Sequence, residues 1–167
     1  VRQMVPGYQR SMDKFIYENP QSSLIPQILY VHSLNLFDTQ DYGASLAVMD
    51  GINPKHLDKS QRVEFLFKKA YSSMETGDAG AALKGFEEVE KMPVSDYTAP
   101  SRYALGYINY DLKRFEEAIK WFEKSGKDGR FADMSSYYIM ECRFMLGDHD
   151  YVTSHGDALY EKTPQER

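Results

Sequence analysis

Residues 98–125 read TAPSRYALGYINYDLKRFEEAIKWFEKS, and the fold turns on how this stretch is parsed. Ala99, Tyr103, Tyr107 and Tyr110 recur at steps of three and four, which places them along one face of a helix. Lys113-Arg114 interrupts the pattern, and Phe115, Ala118, Ile119 and Phe122 resume it on a second segment. Gly126 and Gly129 then break it. The stretch therefore reads as helix, turn, helix.

The same pattern recurs along the chain. Ser11, Ser45, Ala82 and Ala118 each stand four residues before a larger apolar residue, namely Phe15, Met49, Phe86 and Phe122, and a weaker fifth copy centres on Val152. The steps between these five anchors are 34, 37, 36 and 34 residues, and a period near 35 marks stacked repeats of one supersecondary unit. Upstream of the last four anchors lie first helices, expected over Leu24–Asp38, Ser60–Thr76, Thr98–Leu112 and Phe131–Leu146. Turns are expected at Thr39-Gln-Asp41, Gly77-Asp78, Lys113-Arg114 and Gly147-Asp148. Second helices should stop near Asn19-Pro20, Asn53-Pro54, Met92-Pro93, Gly126–Gly129 and Thr163-Pro164, because Pro cannot extend a helix and Gly weakens one.

These residues resemble the tetratricopeptide-repeat family, whose unit of about 34 residues carries W-x2-L-G-x2-Y, then A-x3-F, then P. Leu105-Gly106 matches the L-G pair, and Ala118-x3-Phe122 matches A-x3-F. Gly106 and Ala118 are small because paired helices cross closely there, with Phe122 filling the space beside them. Arg102 stands in the Trp slot and Asn109 in the Tyr slot. The small contact is kept as Ala70 and Ala82 in one unit and as Ser33 and Ser45 in another, but becomes Met140 and Val152 in the last. The resemblance implies an all-α, right-handed α-solenoid of antiparallel helix pairs, about four and a half repeats long. Residues 1–19 would be the second helix of an incomplete repeat, followed by repeats at 24–54, 59–93, 98–126 and 131–162 within a single domain. With an unpaired first segment and no polar capping helix at the end, the chain is expected to be part of a longer protein. A finer likeness joins Glu18-Asn-Pro20-Gln-Ser22-x3-Pro26-x3-Tyr30, echoed by Thr98-Ala-Pro100-Ser-Arg-Tyr103, to the inter-repeat joint of bacterial cell-envelope tetratricopeptide proteins. It implies a periplasmic or envelope setting, with the cytoplasm as the alternative.

Composition removes several classes of function. The 20 Lys and Arg are outnumbered by 25 Asp and Glu, and the net charge of -5 with no long basic run disfavours nucleic acid. No apolar run approaches the roughly 18 residues that span a membrane. The lone Cys142 allows no internal disulfide and, among apolar neighbours without a His partner, reads as an inert buried thiol. His32, His56, His149 and His155 form no metal motif; His32 is expected as a hydrogen-bonded packing residue, and His149 and His155 as solvent-facing. Asp148 and Asp150 lack the Gly and distal Glu of a calcium loop and read as a polar helix start. Neither Gly77-Asp-Ala-Gly80 nor Gly126-Lys-Asp-Gly129 has the form of a phosphate loop, and Glu87-Glu88 and Glu116-Glu117 are solvated pairs rather than an acid and a base. No cofactor or metal is expected, and no enzyme activity.

Function is instead sought on the inner, concave face that first helices line in a solenoid. Fifteen, eleven and eight residues before successive anchors stand Tyr30/Leu34/Phe37, Phe67/Tyr71/Met74, Tyr103/Tyr107/Tyr110 and Tyr137/Glu141/Phe144, with Tyr138 alongside. Spacing of i, i+4, i+7 puts each trio on one face. The last member of each is expected to serve partly in packing. Tyr in the first and middle slots suits a binding surface, since it combines a broad apolar ring, a polar tip and few rotatable bonds. Asp38, Glu64, Glu75, Asp111 and Glu141 lie on or beside this stripe, against Lys68 as its one clear cation. The expected function is a non-enzymatic protein–protein interaction scaffold that takes a protein or peptide segment of aromatic, apolar or basic character on Tyr30, Phe67, Tyr71, Tyr103, Tyr107, Tyr110, Tyr137, Tyr138, Glu64 and Glu141. The alternatives are a structural or self-associating spacer, which would be a homo-oligomer, and an RNA-binding helical repeat.

Overall fold

The computed structural model of the protein describes residues 7–162, with side chains through residue 156. Among the described residues the chain is helical throughout, with turns and one short 3-10 segment: α1 (Tyr8–Glu18), α2 (Ile25–Asp38), α3 (Tyr42–Asp50), α4 (Lys59–Glu75), α5 (Ala79–Glu90), α6 (Thr98–Asp111), α7 (Phe115–Ser125), α8 (Ala132–Met145) and α9 (His149–Lys162). The all-α, helical-repeat reading holds. Helices α2, α4, α6 and α8 stand where the first helices are expected, each within three residues at either end. The expected stop at Thr163-Pro164 and the first residues of the 1–19 segment lie outside the described residues.

Each helix pair reverses direction through the same device. One residue of every turn is left-handed: Gln40 at φ 63°, Gly77 at φ 86°, Lys113 at φ 58° and Gly147 at φ 78°. Around it the backbone repeats a two-bond cap, as in Gly77 N–H to Met74 C=O at 3.0 Å and Asp78 N–H to Ser73 C=O at 2.8 Å. Equivalent pairs close the turns at residues 40–41, 113–114 and 147–148. The following helix is then capped by a side chain in three of the four cases, with Asp41, Asp78 and Asp148 accepting from the backbone N–H of Ala44, Ala81 and Tyr151.

Packing divides the chain into two compact units that meet in sequence between Gly85 and Phe86. In the first, Tyr30, Leu34, Met49, Ile52, Leu57 and Phe65 form a buried core between α2, α3 and α4. Buried Ser45 donates to the Ser33 carbonyl at 2.9 Å, so the small-residue crossing of this pair is also hydrogen-bonded. The next crossing is tighter: Ala70 is buried, and a Cβ placed on Gly85 would lie 2.7 Å from its methyl. Between the two repeats the chain makes a 3-10 turn at Pro54–His56, clasped by Arg62, which donates to the carbonyls of Pro54 and Leu57. Lys59 opens α4 behind a capping box made by Asp58 and Gln61.

In the second unit α6 packs on α7, α7 on α8 and α8 on α9. Ala118, Ile119, Phe122 and Cys142 form its core. At the α6–α7 crossing a Cβ on Gly106 would fall 2.7 Å from the Phe122 ring, which gives the physical reason for the L-G and A-x3-F residues. The fifth anchor is looser, since Val152 and Met140 are only half-buried.

The first anchor has no crossing partner, because among the described residues no first helix stands before α1. Ser11 is exposed and spends its hydroxyl on the Gly7 carbonyl at 3.2 Å, while its neighbour Met12 is buried. Helix α1 meets α2 through Tyr8, whose ring lies 6.0 Å from that of His32. This contact joins α1 to the first helix of the next repeat and is not the small crossing within a helix pair. His32 is buried as expected, although its Nδ1 has no hydrogen-bond partner.

Candidate functional site

The repeated turn fixes where the aromatic stripe begins. Three residues before the left-handed position and two after it, side chains face each other across the hairpin. They are Phe37 and Tyr42, Tyr110 and Phe115, and Phe144 and His149, with ring centroids 5.4, 6.0 and 6.1 Å apart. The last member of each of these first-helix trios is therefore engaged in intra-hairpin packing. Tyr42 and Phe115 are part of the aromatic face although the stripe on first helices does not include them. Their signal was available in the sequence as an aromatic residue three before the anchors Ser45 and Ala118.

In the first unit Tyr30 and Leu34 of the stripe are buried, while Phe37, Phe67, Tyr71 and Met74 are half-buried. The Tyr30 ring lies in the core, 4% exposed, and its hydroxyl donates to Glu64 Oε2 at 2.8 Å. Tyr71 packs against Phe37, Tyr42 and Phe67, at 5.5, 5.7 and 6.3 Å between centroids. Burial, followed by a hydrogen bond to Glu75, pushes the Tyr71 hydroxyl up to about 12. Lys68 sits over the Phe37 ring, 4.7 Å from its centroid, and pairs with Asp38 at 3.1 Å and Glu64 at 3.5 Å. The one cation of this stripe is thus matched by two carboxylates of its own unit.

In the second unit the same residue types are gathered around Tyr138. Its ring stacks on Phe122 at 5.1 Å and 9° and meets Tyr103, Tyr107, Tyr110 and Tyr137 edge-on at 6.1, 5.8, 5.1 and 5.5 Å. Such edge-to-face pairs each contribute about 0.5–1.5 kcal/mol beyond burial. Tyr103 is held further by Phe131 at 5.4 Å. Glu141 takes one hydroxyl on each oxygen, from Tyr110 at 2.7 Å and from Tyr137 at 2.5 Å. The hydrogen bond to Glu141 is the main reason that the Tyr110 hydroxyl rises to about 12, and it raises Tyr137 as well. Burial does the same for Tyr103, to about 12, and raises Tyr138. Exposure grades outward along α8: Tyr138 is half-buried, Tyr137 46% exposed and Phe144 58% exposed.

The lone thiol is not exposed as a nucleophile. Cys142 is fully buried and its thiol is pushed up to about 11 by burial. His149 and His155 are exposed, the latter stacked on Tyr151 at 4.1 Å. No three His, Cys, Asp or Glu side chains among the described residues are grouped to hold a metal ion. No helix among them is long and apolar enough to cross a membrane.

Residues 99–125, which make up α6, the Lys113-Arg114 turn and α7, match the family model of the tetratricopeptide repeat. That segment is similar to a tetratricopeptide repeat. Comparison with curated proteins returns no match. The repeat departs from its family pattern at two places, and each is compensated locally. Arg102, in the Trp slot, forms a two-pronged pair with Glu90, Nε to Oε2 at 2.8 Å and Nη2 to Oε1 at 3.0 Å. Asn109, in the Tyr slot, is buried and donates to the Leu105 carbonyl at 2.8 Å. Tetratricopeptide repeats typically serve as non-enzymatic scaffolds for protein–protein interaction, and a protein partner is the class of ligand this repeat implies.

Proposed function

We propose that the protein is a non-enzymatic scaffold that binds a segment of another protein on the aromatic face shared by α6 and α8. One observation carries the reading: five tyrosines converge beside a carboxylate on the first helices of a tetratricopeptide repeat and the pair that follows it, and the outermost tyrosine, Tyr137, stays 46% exposed. Tyrosines locked by their neighbours lose little conformational freedom on binding, which lowers the cost of association. Within the face the roles divide by burial. Tyr103 and Tyr138 form its floor, while Tyr107, Tyr110, Tyr137 and Glu141 present polar tips above it. Phe67, Tyr71 and Glu64 of the first unit form a second, smaller surface of the same chemistry, to which Tyr30 contributes its bond to Glu64. The likeness of the Asn19-Pro20 joint to cell-envelope repeats supports an envelope setting, which fractionation of the source cells checks.

The test is a selection of displayed random peptides on the purified protein, followed by affinity measurement with Tyr107→Ala/Tyr137→Ala. These two rings are chosen because Tyr103 and Tyr138 also hold Phe122 and Phe131 in place. The double variant is expected to lose about tenfold or more in affinity with unchanged helicity by circular dichroism. Undiminished binding would place the interaction elsewhere.

A second reading is self-association, carried by the exposed Met134, Met145 and Leu146 on and just after α8. A mass by light scattering that rises with concentration would favour it.

A further inference from the structure

The two units meet the same chemical problem in different ways. In each, a tyrosine on one first helix donates to a glutamate on the next: Tyr30 to Glu64 at 2.8 Å, and Tyr110 to Glu141 at 2.7 Å. The first unit completes the arrangement with a cation of its own, Lys68, seated over an aromatic ring and between two carboxylates. The slot that Lys68 occupies fourteen residues before its anchor is held in the last repeat by Tyr138. Accordingly, no Lys, Arg or His among the described residues forms an ion pair with Glu141 or with Asp111, the residue that follows its partner Tyr110. Arg143, two residues along α8, is committed to Asp148 at 3.2 Å and to the Tyr151 ring at 5.1 Å.

We propose, building on the binding reading above, that Glu141 receives a basic side chain from the partner protein, with Tyr137 and Tyr138 as its aromatic walls. Both carboxylate oxygens are already oriented by a tyrosine hydroxyl, and each keeps a further lone pair for an incoming N–H. An arginine fits this geometry best, because its planar fork can meet both oxygens while its face lies on a tyrosine ring. Tyr137, Phe144 and Met145 stand four before, three after and four after Glu141 on α8 and are 46%, 58% and 56% exposed. They form an apolar stripe along which residues flanking the partner's arginine settle. The occupant is a protein segment with a basic residue between apolar ones, and charge complementarity at Glu141 and Asp111 selects it over an acidic tail.

The experiment is a double-mutant cycle. One peptide recovered from the selection described above is synthesised with its basic residue intact and replaced by glutamine, and both are titrated against the wild-type protein and Glu141→Gln. The recovered sequences are expected to carry Arg or Lys next to apolar residues. Either single change is expected to weaken binding by roughly tenfold or more, and the two together by little more than one alone. Exchanging the peptide's basic residue on the wild-type protein needs no protein variant, so the result stands even if Glu141→Gln folds poorly. Peptides that depend on Tyr107 and Tyr137 but lack a basic residue and ignore Glu141→Gln overturn this inference while leaving the binding reading intact. Loss of all dependence on the tyrosines overturns both. A concentration-dependent mass abolished by Glu141→Gln would make the occupant a second copy and also overturn it.

Discussion

At the scale of single residues, the repeat is enforced by what cannot be added. Gly106 has no room for a methyl beside the Phe122 ring, and Phe122 is itself fully buried and stacked on Tyr138. Gly106→Ala is therefore expected to lower stability by about 1–3 kcal/mol, the usual range for overpacking a filled core. Urea unfolding followed by circular dichroism measures this; a change below about 0.5 kcal/mol would mean that the crossing is looser than described. The L-G and A-x3-F pattern made this contact legible, since both partners lie in one repeat. The fate of Lys68 was not legible. Its neutralisation needs Asp38, thirty residues earlier, and pairing at that separation depends on how α2 and α4 come together. Burial of Tyr30 escaped the sequence for a related reason. A tyrosine ring suits core and surface alike, and only its neighbours decide.

At the scale of elements, the turns and the helix faces each carry a prediction. All four hairpin turns require one left-handed residue, which Gly77 and Gly147 adopt freely and Gln40 and Lys113 adopt at a cost. Lys113→Gly and Gln40→Gly are each expected to stabilise the protein by about 0.5–1 kcal/mol, read as a rise in the thermal midpoint; a fall would show that those side chains make contacts worth more than the strain. The period revealed these turns because they recur at the same distance from each anchor. The register also accounts for the exposed Ser11, since among the described residues no first helix stands before α1 to cross it. The helix faces respond to pH. Burial holds the hydroxyls of Tyr71 and Tyr103, and the bond to Glu141 holds that of Tyr110, at about 12, above the ordinary value near 10. The folded state therefore keeps these protons more tightly than the unfolded chain. Their stabilising contribution is complete below about pH 10 and disappears as pH rises through about 12. Absorbance titration at 295 nm should show a group of tyrosines ionising late, together with a falling thermal midpoint over that window. Uniform ionisation near pH 10 would contradict the hydrogen bonds assigned to Tyr110 and Tyr137.

At the scale of the whole molecule, the protein consists of a repeated hairpin whose first helices carry aromatic side chains and carboxylates. Each unit uses them differently. The first buries one tyrosine and pairs its carboxylates with Lys68, and in the second Glu141 accepts from Tyr110 and Tyr137 while Tyr137 at the outer edge of the cluster stays exposed. Binding on the α6–α8 face of the second unit is checked by backbone amide shifts recorded by NMR during titration with a selected peptide. The largest shifts are expected on Tyr107, Tyr110, Tyr137, Tyr138 and Glu141, and Glu141→Gln is expected to shrink them at the same peptide concentration. Shifts concentrated on α7 or on the first unit, with the tyrosine cluster unmoved, would contradict it.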